Sequence, residues 1–283
     1  MSHFPLAINT ISDTWHIPME DSLQRLASLG YRTFDVMVSP THLDTERMTP
    51  AELSRLRRLL ETHDLHIFAL TAQSLDHNLA SPREEIRAMS IAFKRSLIDI
   101  AYHLGITGIV TVSGRYNPLN APPREQLEGW LRSSLEALLP YAEAHGVKLL
   151  LENIPMGVLP RAEDMLAWAD DFDSPALTLC YDVANGHFIG EDLAAALHLC
   201  APRLDHLHLS DTTRQAWRHD PLGHGTVDFA AVGQALASID YRGMSALEIL
   251  HPQADPLIQQ AHRTLAKLGW TAPEQPDGGG HAA

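Results

Sequence analysis

Cysteines and long apolar runs are scarce in this chain of 283 residues. Its only two cysteines, Cys180 and Cys200, lie in an apolar run and at the end of a helical segment, so we interpret them as buried thiols and expect neither a disulfide nor a thiolate metal site. No apolar run approaches the ~20 residues of a membrane span. The amino terminus also lacks the basic segment and apolar stretch of a secretory signal. We therefore predict a cytoplasmic protein without a membrane partner.

Basic side chains are few as well, with 21 Lys and Arg against 35 Asp and Glu and a formal net charge of −14. Nucleic-acid binding depends on a basic face that neutralises phosphates, so we expect no nucleic-acid partner. No basic cluster marks a phosphate site, which favours an unphosphorylated substrate. A glycine-rich phosphate loop is missing after the first strand-like run, and this argues against a doubly wound sheet.

Eight short apolar runs alternate with longer amphipathic segments along the chain. In the longer segments apolar residues recur three and four positions apart, which predicts helices that lie on a sheet. Eightfold alternation of strand and helix is typical of a (β/α)8 barrel, an α/β fold that commonly occupies ~250 residues as one domain. We predict a single barrel over residues 1–270 and a disordered tail, rich in Pro and Gly, over 271–283. The predicted strands are 5–12, 31–38, 65–72, 108–114, 148–154, 177–183, 204–211 and 245–250.

Four potential metal ligands stand at or just after the ends of the last four predicted strands. They are Glu152, Asp182, His208 and Glu248, spaced 26 to 40 residues apart. A single Glu or His at a strand end is more often a solvated side chain, but four in successive βα units of a barrel emerge at the same rim. Three carboxylates and one imidazole suit Mn²⁺, Mg²⁺ or Co²⁺, and Zn²⁺ also fits. The sequence therefore predicts one divalent metal ion at this rim.

The segments around these residues resemble the xylose isomerase-like TIM barrel superfamily, which contains sugar isomerases and epimerases and is related to endonuclease IV. The resemblance rests on LLLENIP, CYDVANGH, HLHLSDTTR, PLGHGTVDF and GMSALEI, and it extends over nearly the whole chain. It implies one divalent metal ion held by the same four side chains. It also implies that His187 and His219 bind substrate, as in the epimerases, or metal, as in the nuclease.

The resemblance and the ligand set together predict an isomerase or epimerase of a small sugar or sugar derivative. A carbonyl and an adjacent hydroxyl oxygen on the ion would acidify the neighbouring C–H bond and give a metal-stabilised enediolate. Glu152 and Glu248, both metal ligands, are the candidates that take and return the proton. If a hydroxyl group leaves instead, the protein is a dehydratase, a lyase acting on a keto-polyol or a dehydroshikimate-like acid.

Further side chains near the predicted rim are candidates for binding a sugar or keto-acid substrate. Arg115 follows strand four and suits a carboxylate or hydroxyl groups, with a solvated loop as an equal alternative. Trp15, just beyond strand one, is placed to stack on a sugar face. His77 lies in a loop that lines the pocket entrance in sugar-acting relatives. His206 points the same way as His208 but one layer deeper, which favours a supporting or packed role.

The chain departs from the patterns of two branches of the family. Ketose 3-epimerases commonly have a glutamate where this chain has Val158, and relatives often have one at His224. The resemblance therefore implies sugar isomerase chemistry without specifying a 3-epimerase. The nuclease branch has an Asp-Arg-His triplet where this chain has Trp217-Arg218-His219, which makes a trinuclear zinc nuclease the least favoured alternative.

Many relatives are dimers or tetramers, so a homo-oligomer is also expected.

Overall fold

Eight parallel strands close into a barrel in the computed structural model of this chain, which describes residues 3–72 and 76–271. The strands are β1 (Phe4–Asn9), β2 (Thr33–Val38), β3 (His66–Ala72), β4 (Gly108–Val112), β5 (Lys148–Glu152), β6 (Leu177–Asp182), β7 (Leu204–Leu209) and β8 (Met244–Leu247). Each strand pairs with the next along the chain, and β1 pairs with both β2 and β8. The closed ring confirms the predicted (β/α)8 barrel.

Nine α-helices lie between or after these strands in the described residues. Thr49 caps the second helix by accepting a hydrogen bond from the Glu52 amide, and Pro50 takes the first helical position. The two longest helices end at Gly105 and Gly146, whose φ angles of 73° and 64° lie in the left-handed region that favours glycine. The helices are α1 (Met19–Ser28), α2 (Pro50–Thr62), α3 (Glu84–Leu104), α4 (Arg124–His145), α5 (Ala162–Phe172), α6 (Val183–Phe188), α7 (Leu193–Cys200), α8 (Phe229–Ser238) and α9 (Ala254–Ala266).

Alternate strand residues point into the barrel and position the candidate site at one end. Leu150 and Cys180 belong to a small apolar layer in the interior. Because side chains two positions apart share a face of a strand, Glu152 and Asp182 lie on the same inner face, nearer the carboxyl-terminal end. Cys180 and Cys200 are buried, as predicted. The fold therefore provides the rim at which the four potential ligands were expected to meet.

A ninth strand, β9 (Trp270–Thr271), was not predicted. It pairs with the start of β1, and Trp270 is fully buried against the ring of Phe4. Thr271, which the sequence analysis assigned to the disordered tail, is thus part of a strand. The rest of that predicted tail, 272–283, lies outside the described residues. Among the described helices, none combines the length and apolar character needed to cross a bilayer.

Candidate metal centre

Side chains from four successive strands meet at the carboxyl-terminal end of the barrel. Glu152 and Asp182 end β5 and β6, His208 lies in β7, and Glu248 follows β8 directly. One nitrogen or oxygen of each lies within 4.8 Å of those of the other three, and all four residues are buried. His208 Nδ1 is 2.9 Å from Glu152 Oε1 and 3.3 Å from Glu248 Oε2. The predicted convergence is present, while the ligand roles stay a prediction.

Two carboxylate oxygens in this cluster have no hydrogen-bond partner within residues 3–72 and 76–271. They are Asp182 Oδ2 and Glu248 Oε2, and both atoms are buried. Leaving a buried carboxylate oxygen without a partner is strongly unfavourable. A divalent cation would satisfy both oxygens, and three carboxylates with one imidazole form a suitable donor set for it. The residues present therefore fit one such ion.

His219 joins the cluster from the loop between β7 and α8. Its Nδ1 lies 3.2 Å from Glu248 Oε2 and 3.7 Å from Asp182 Oδ2, at ion-pair distance but outside hydrogen-bond geometry. Burial would lower the pKa of His219, but the charges of Glu248 and Asp182 outweigh burial and raise that pKa to about 9. A protonated His219 thus offsets the repulsion between these carboxylates when no cation is bound. The sequence predicts a substrate-binding role for His219, and that role stays a prediction.

Asp35, which was not predicted from the sequence, supports His208 from inside the barrel. Its Oδ2 lies 2.8 Å from His208 Nε2 and 3.1 Å from His206 Nε2, and its Oδ1 accepts the Thr71 hydroxyl at 2.6 Å. Burial would raise the pKa of Asp35, but the two imidazoles outweigh it and lower the pKa to about 2. Because Nε2 of His208 is held by this carboxylate, Nδ1 is left to face the candidate metal position.

The short helix α6, which was not predicted, holds Asp182 in place. Asp182 caps this helix through Oδ1, which accepts the Asn185 amide at 2.8 Å. The Asn153 side chain accepts the Asp182 amide at 2.7 Å and donates to the Asp182 carbonyl at 3.0 Å. Oδ2 is then the oxygen left for a cation. Burial and the neighbouring carboxylate of Glu248 raise the pKa of Asp182, so we expect metal affinity to weaken as pH falls.

The other predicted substrate-binding residues occupy separate positions around the centre. His187 lies on α6, where its Nε2 is bonded to a threonine hydroxyl of the loop after β7. The backbone of Arg115 forms two hydrogen bonds with the Asn78 side chain. Trp15 and His77 line a cavity of about 260 Å³ beside the ends of β2 and β3. These placements are compatible with substrate binding, and the roles stay predictions.

Lys94 on α3 is a buried cation near the centre that the sequence analysis also missed. Its side chain passes between α3 and the barrel, and its ammonium donates to the Val110 carbonyl at 2.9 Å. Burial lowers the pKa of Lys94 to about 7, although the charge of Glu152 opposes the shift. The folded protein therefore bears an energetic penalty for holding this lysine in its charged form.

Replacing Lys94 with methionine is expected to increase the free energy of unfolding by about 1–3 kcal/mol at pH 6, because an apolar side chain of similar length carries no buried charge. Lys94 is charged in both states below pH 7, so the penalty is complete there. Between pH 7 and 10.5 only the unfolded state keeps the proton, so the penalty shrinks as pH rises. Urea unfolding of Lys94→Met and the native chain at pH 6 and pH 9 measures this trend.

Lys148→Met is the matched control, because Lys148 is 45% exposed at its side chain and pairs with Asp205 near the surface. It should change stability by less than about 1 kcal/mol and show no comparable pH trend. A loss of stability in Lys94→Met at pH 6, or a gain that is equal at both pH values, would contradict the prediction.

The protein is a TIM barrel with a candidate mononuclear metal centre at the carboxyl ends of its strands. This is the face that carries the active site in enzymes of this fold. The chain belongs to the xylose isomerase-like TIM barrel family, whose model matches residues 23–268. The resemblance inferred from the sequence motifs is confirmed.

Individual relatives differ in their reactions. D-psicose 3-epimerase of Ruminiclostridium cellulolyticum is 22% identical over 240 residues, which cover 83% of this chain and 79% of that protein. 3-Oxo-isoapionate decarboxylase of Pectobacterium atrosepticum is 24% identical over 222 residues, which cover 76% and 71%. The crystal structure of the IOLI protein with a zinc atom has a TM-score of 0.78 at 20% identity and covers 94% of this chain and 98% of that chain. The family thus includes sugar epimerases and a decarboxylase.

Proposed function

We propose that this protein is a divalent-metal-dependent isomerase or epimerase of a small, unphosphorylated sugar or sugar derivative. The main support is the position of two glutamates on either side of His208. Glu152 and Glu248 approach His208 Nδ1 from β5 and β8, at 2.9 Å and 3.3 Å. Two carboxylates that reach one point from different strands can serve different faces of a single reacting carbon.

The bound ion would polarise a substrate carbonyl and its neighbouring hydroxyl, which acidifies the C–H bond of the hydroxyl-bearing carbon. One of Glu152 and Glu248, as the carboxylate, would then remove that proton, and the other, already protonated from solvent, would deliver its own proton to the opposite face. Delivery to the same carbon inverts it and is epimerisation, whereas delivery to the former carbonyl carbon is aldose–ketose isomerisation. Burial of both glutamates limits the access of water to the reacting carbon while the proton is transferred.

Several divalent ions suit the candidate ligands, and five further side chains are candidates for binding the substrate. Mn²⁺, Mg²⁺ or Co²⁺ suits the three carboxylates, and the zinc in the IOLI protein supports Zn²⁺ as a further candidate. We propose Arg115, Trp15, His77, His187 and His219 as the groups around the substrate. A cytoplasmic location and a dimer or tetramer stay predictions.

A lyase is the second candidate, because one relative of this family is named as a decarboxylase. Carbon–carbon or carbon–oxygen cleavage next to a carbonyl uses the same stabilised anion as proton transfer. The ligand candidates are common to both reactions, so the residues around the substrate decide between them. A keto-polyol or a keto-acid such as a dehydroshikimate-like acid would be the substrate.

Proton exchange with solvent tests the proposal. The metal-loaded protein is incubated in D₂O with a panel of unphosphorylated ketoses and keto-acids, and the products are followed by NMR. We expect deuterium at one carbon and accumulation of an epimer or isomer, and both should stop when the ion is removed with a chelator. Loss of water or CO₂ would identify the lyase. Nicking of abasic DNA together with three zinc ions per chain would identify the nuclease. Either the lyase result or the nuclease result would overturn the proposed isomerase.

A further inference from the structure

Trp217 lies in the loop between β7 and α8, one side chain away from the candidate metal centre. Its ring centroid is 6.4 Å from that of His219. His219 in turn reaches Glu248 Oε2 at 3.2 Å. The indole is therefore within reach of a molecule whose reacting carbons lie at the centre, if that molecule is more than a few atoms long.

The indole of Trp217 is held in a fixed orientation by buried polar groups. Its Nε1 donates to Asn185 Oδ1 at 2.6 Å, and Asn185 is only 2% exposed. The Thr212 hydroxyl holds the backbone on both sides, donating to the Ala216 carbonyl at 2.7 Å and accepting the Arg218 amide at 3.0 Å. The side chain thus needs no ligand to satisfy its N–H group or to fix its position.

The loop that carries Trp217 is itself tied to the barrel by one carboxylate. Asp211 accepts the amides of Thr212, Gly223 and Val227 at 2.9, 2.8 and 3.0 Å. Asp211 also pairs through its backbone with Asp220 on the far side of Trp217. The indole is therefore a preorganised part of the site.

Despite these anchors, 37% of Trp217 remains exposed to solvent. The ring of Phe188 lies nearly parallel to it, at 24° and 6.5 Å between centroids. An aromatic face that is held in a fixed orientation and left exposed beside the candidate metal centre, next to a second aromatic ring, is available to a bound molecule. The flat face of an indole is complementary to the C–H face of a sugar or polyol, whose hydroxyls remain free for polar partners.

We propose that Trp217 is a specificity-determining platform on which the C–H face of the substrate's sugar or polyol chain stacks. This inference rests on the proposed function in its choice of substrate class. Stacking acts on carbons away from the reaction and is equal in the ground state and the transition state. Trp217 should therefore set KM and leave kcat nearly unchanged.

Trp217→Phe and Trp217→Leu form a matched pair, because both lose the hydrogen bond to Asn185 and only leucine loses the aromatic face. Binding of open-chain polyols, which lack a carbonyl and do not react, is measured by calorimetry on the metal-loaded variants. We expect Trp217→Leu to weaken polyol binding about tenfold, equivalent to about 1.4 kcal/mol, and Trp217→Phe to stay within about threefold of the native chain. Metal content should be unchanged in both.

Tyr102→Leu serves as the control, because Tyr102 is an exposed aromatic at the opposite end of the barrel. It should bind polyols as the native chain does. Equal binding by the phenylalanine and leucine variants, loss of metal from either, or no polyol binding by the native protein would each overturn the platform. If no substrate in the panel exchanges its proton but the leucine variant alone loses polyol affinity, the platform stands and the proposed reaction fails.

Discussion

Replacing Glu248 with glutamine is expected to reduce kcat by about 10²–10⁴-fold, the range associated with losing a general acid–base group. The amide keeps the size of the side chain but can neither take nor return a proton. It also removes one of three negative charges from the candidate metal centre, so metal affinity should fall as well. Glu152→Gln should have an effect of the same order, because both glutamates approach His208 Nδ1.

The two glutamine variants can be distinguished by their exchange with D₂O. If the glutamates serve opposite faces of one carbon, Glu152→Gln should lose exchange with one epimer of a substrate pair and Glu248→Gln with the other. The assay is run at saturating metal, so that weakened metal binding does not mimic lost proton transfer. Glu128→Gln, which removes a surface carboxylate paired with Arg124, is the control and should retain native activity. Activity within tenfold of native in both active-site variants would refute their assigned role.

Replacing Asp35 with asparagine should have the largest effect on stability, about 3–5 kcal/mol. The change removes a fully buried negative charge and leaves the His206 and His208 rings without their shared partner. Metal affinity should also fall about 10–100-fold, because the ring of His208 loses the group that orients it. Denaturant unfolding of the metal-free protein measures the first effect, and calorimetric metal titration measures the second.

Asp205→Asn is the matched control for Asp35→Asn. Asp205 also lies on a barrel strand and forms an ion pair, but its side chain is 33% exposed and its partner is Lys148. A surface pair of this kind is worth less than about 1 kcal/mol, and its loss should not affect metal binding. An Asp35→Asn protein as stable as this control, with native metal affinity, would show that Asp35 does not position His208.

The fold and the ligand cluster were predictable because both depend on local pattern. Alternating strand and helix periodicity identified all eight barrel strands. The apolar runs also define which residues end them, and in a barrel every strand end lies at the same rim. Glu152, Asp182, His208 and Glu248 could therefore be grouped from their positions alone, although they are separated by up to 96 residues in the chain.

The residues that were missed have partners far away in the sequence. Asp35 is visible as a lone charge within the apolar strand TFDVMV, but its imidazole partners are 171 and 173 residues away. The anchor of Trp217 is Asn185, 32 residues earlier on a helix of six residues that is too short to show periodicity. Lys94 lies on an amphipathic helix, and its burial could not be predicted because burial depends on what packs against the helix. Only the assembled barrel supplies these contacts.

The pairing of β9 with the start of β1 brings the first and the last described strands side by side. Phe4 and Trp270 are neighbours at the amino-terminal end of the barrel, on the face opposite the candidate metal centre. During synthesis the start of β1 therefore gains this partner only after the chain has been made up to Thr271. A peptide that joins these two positions would give a circular permutant whose new ends lie in another loop. A fusion partner attached at the amino-terminal end of the barrel would leave the carboxyl-terminal end, with the candidate metal centre, unobstructed.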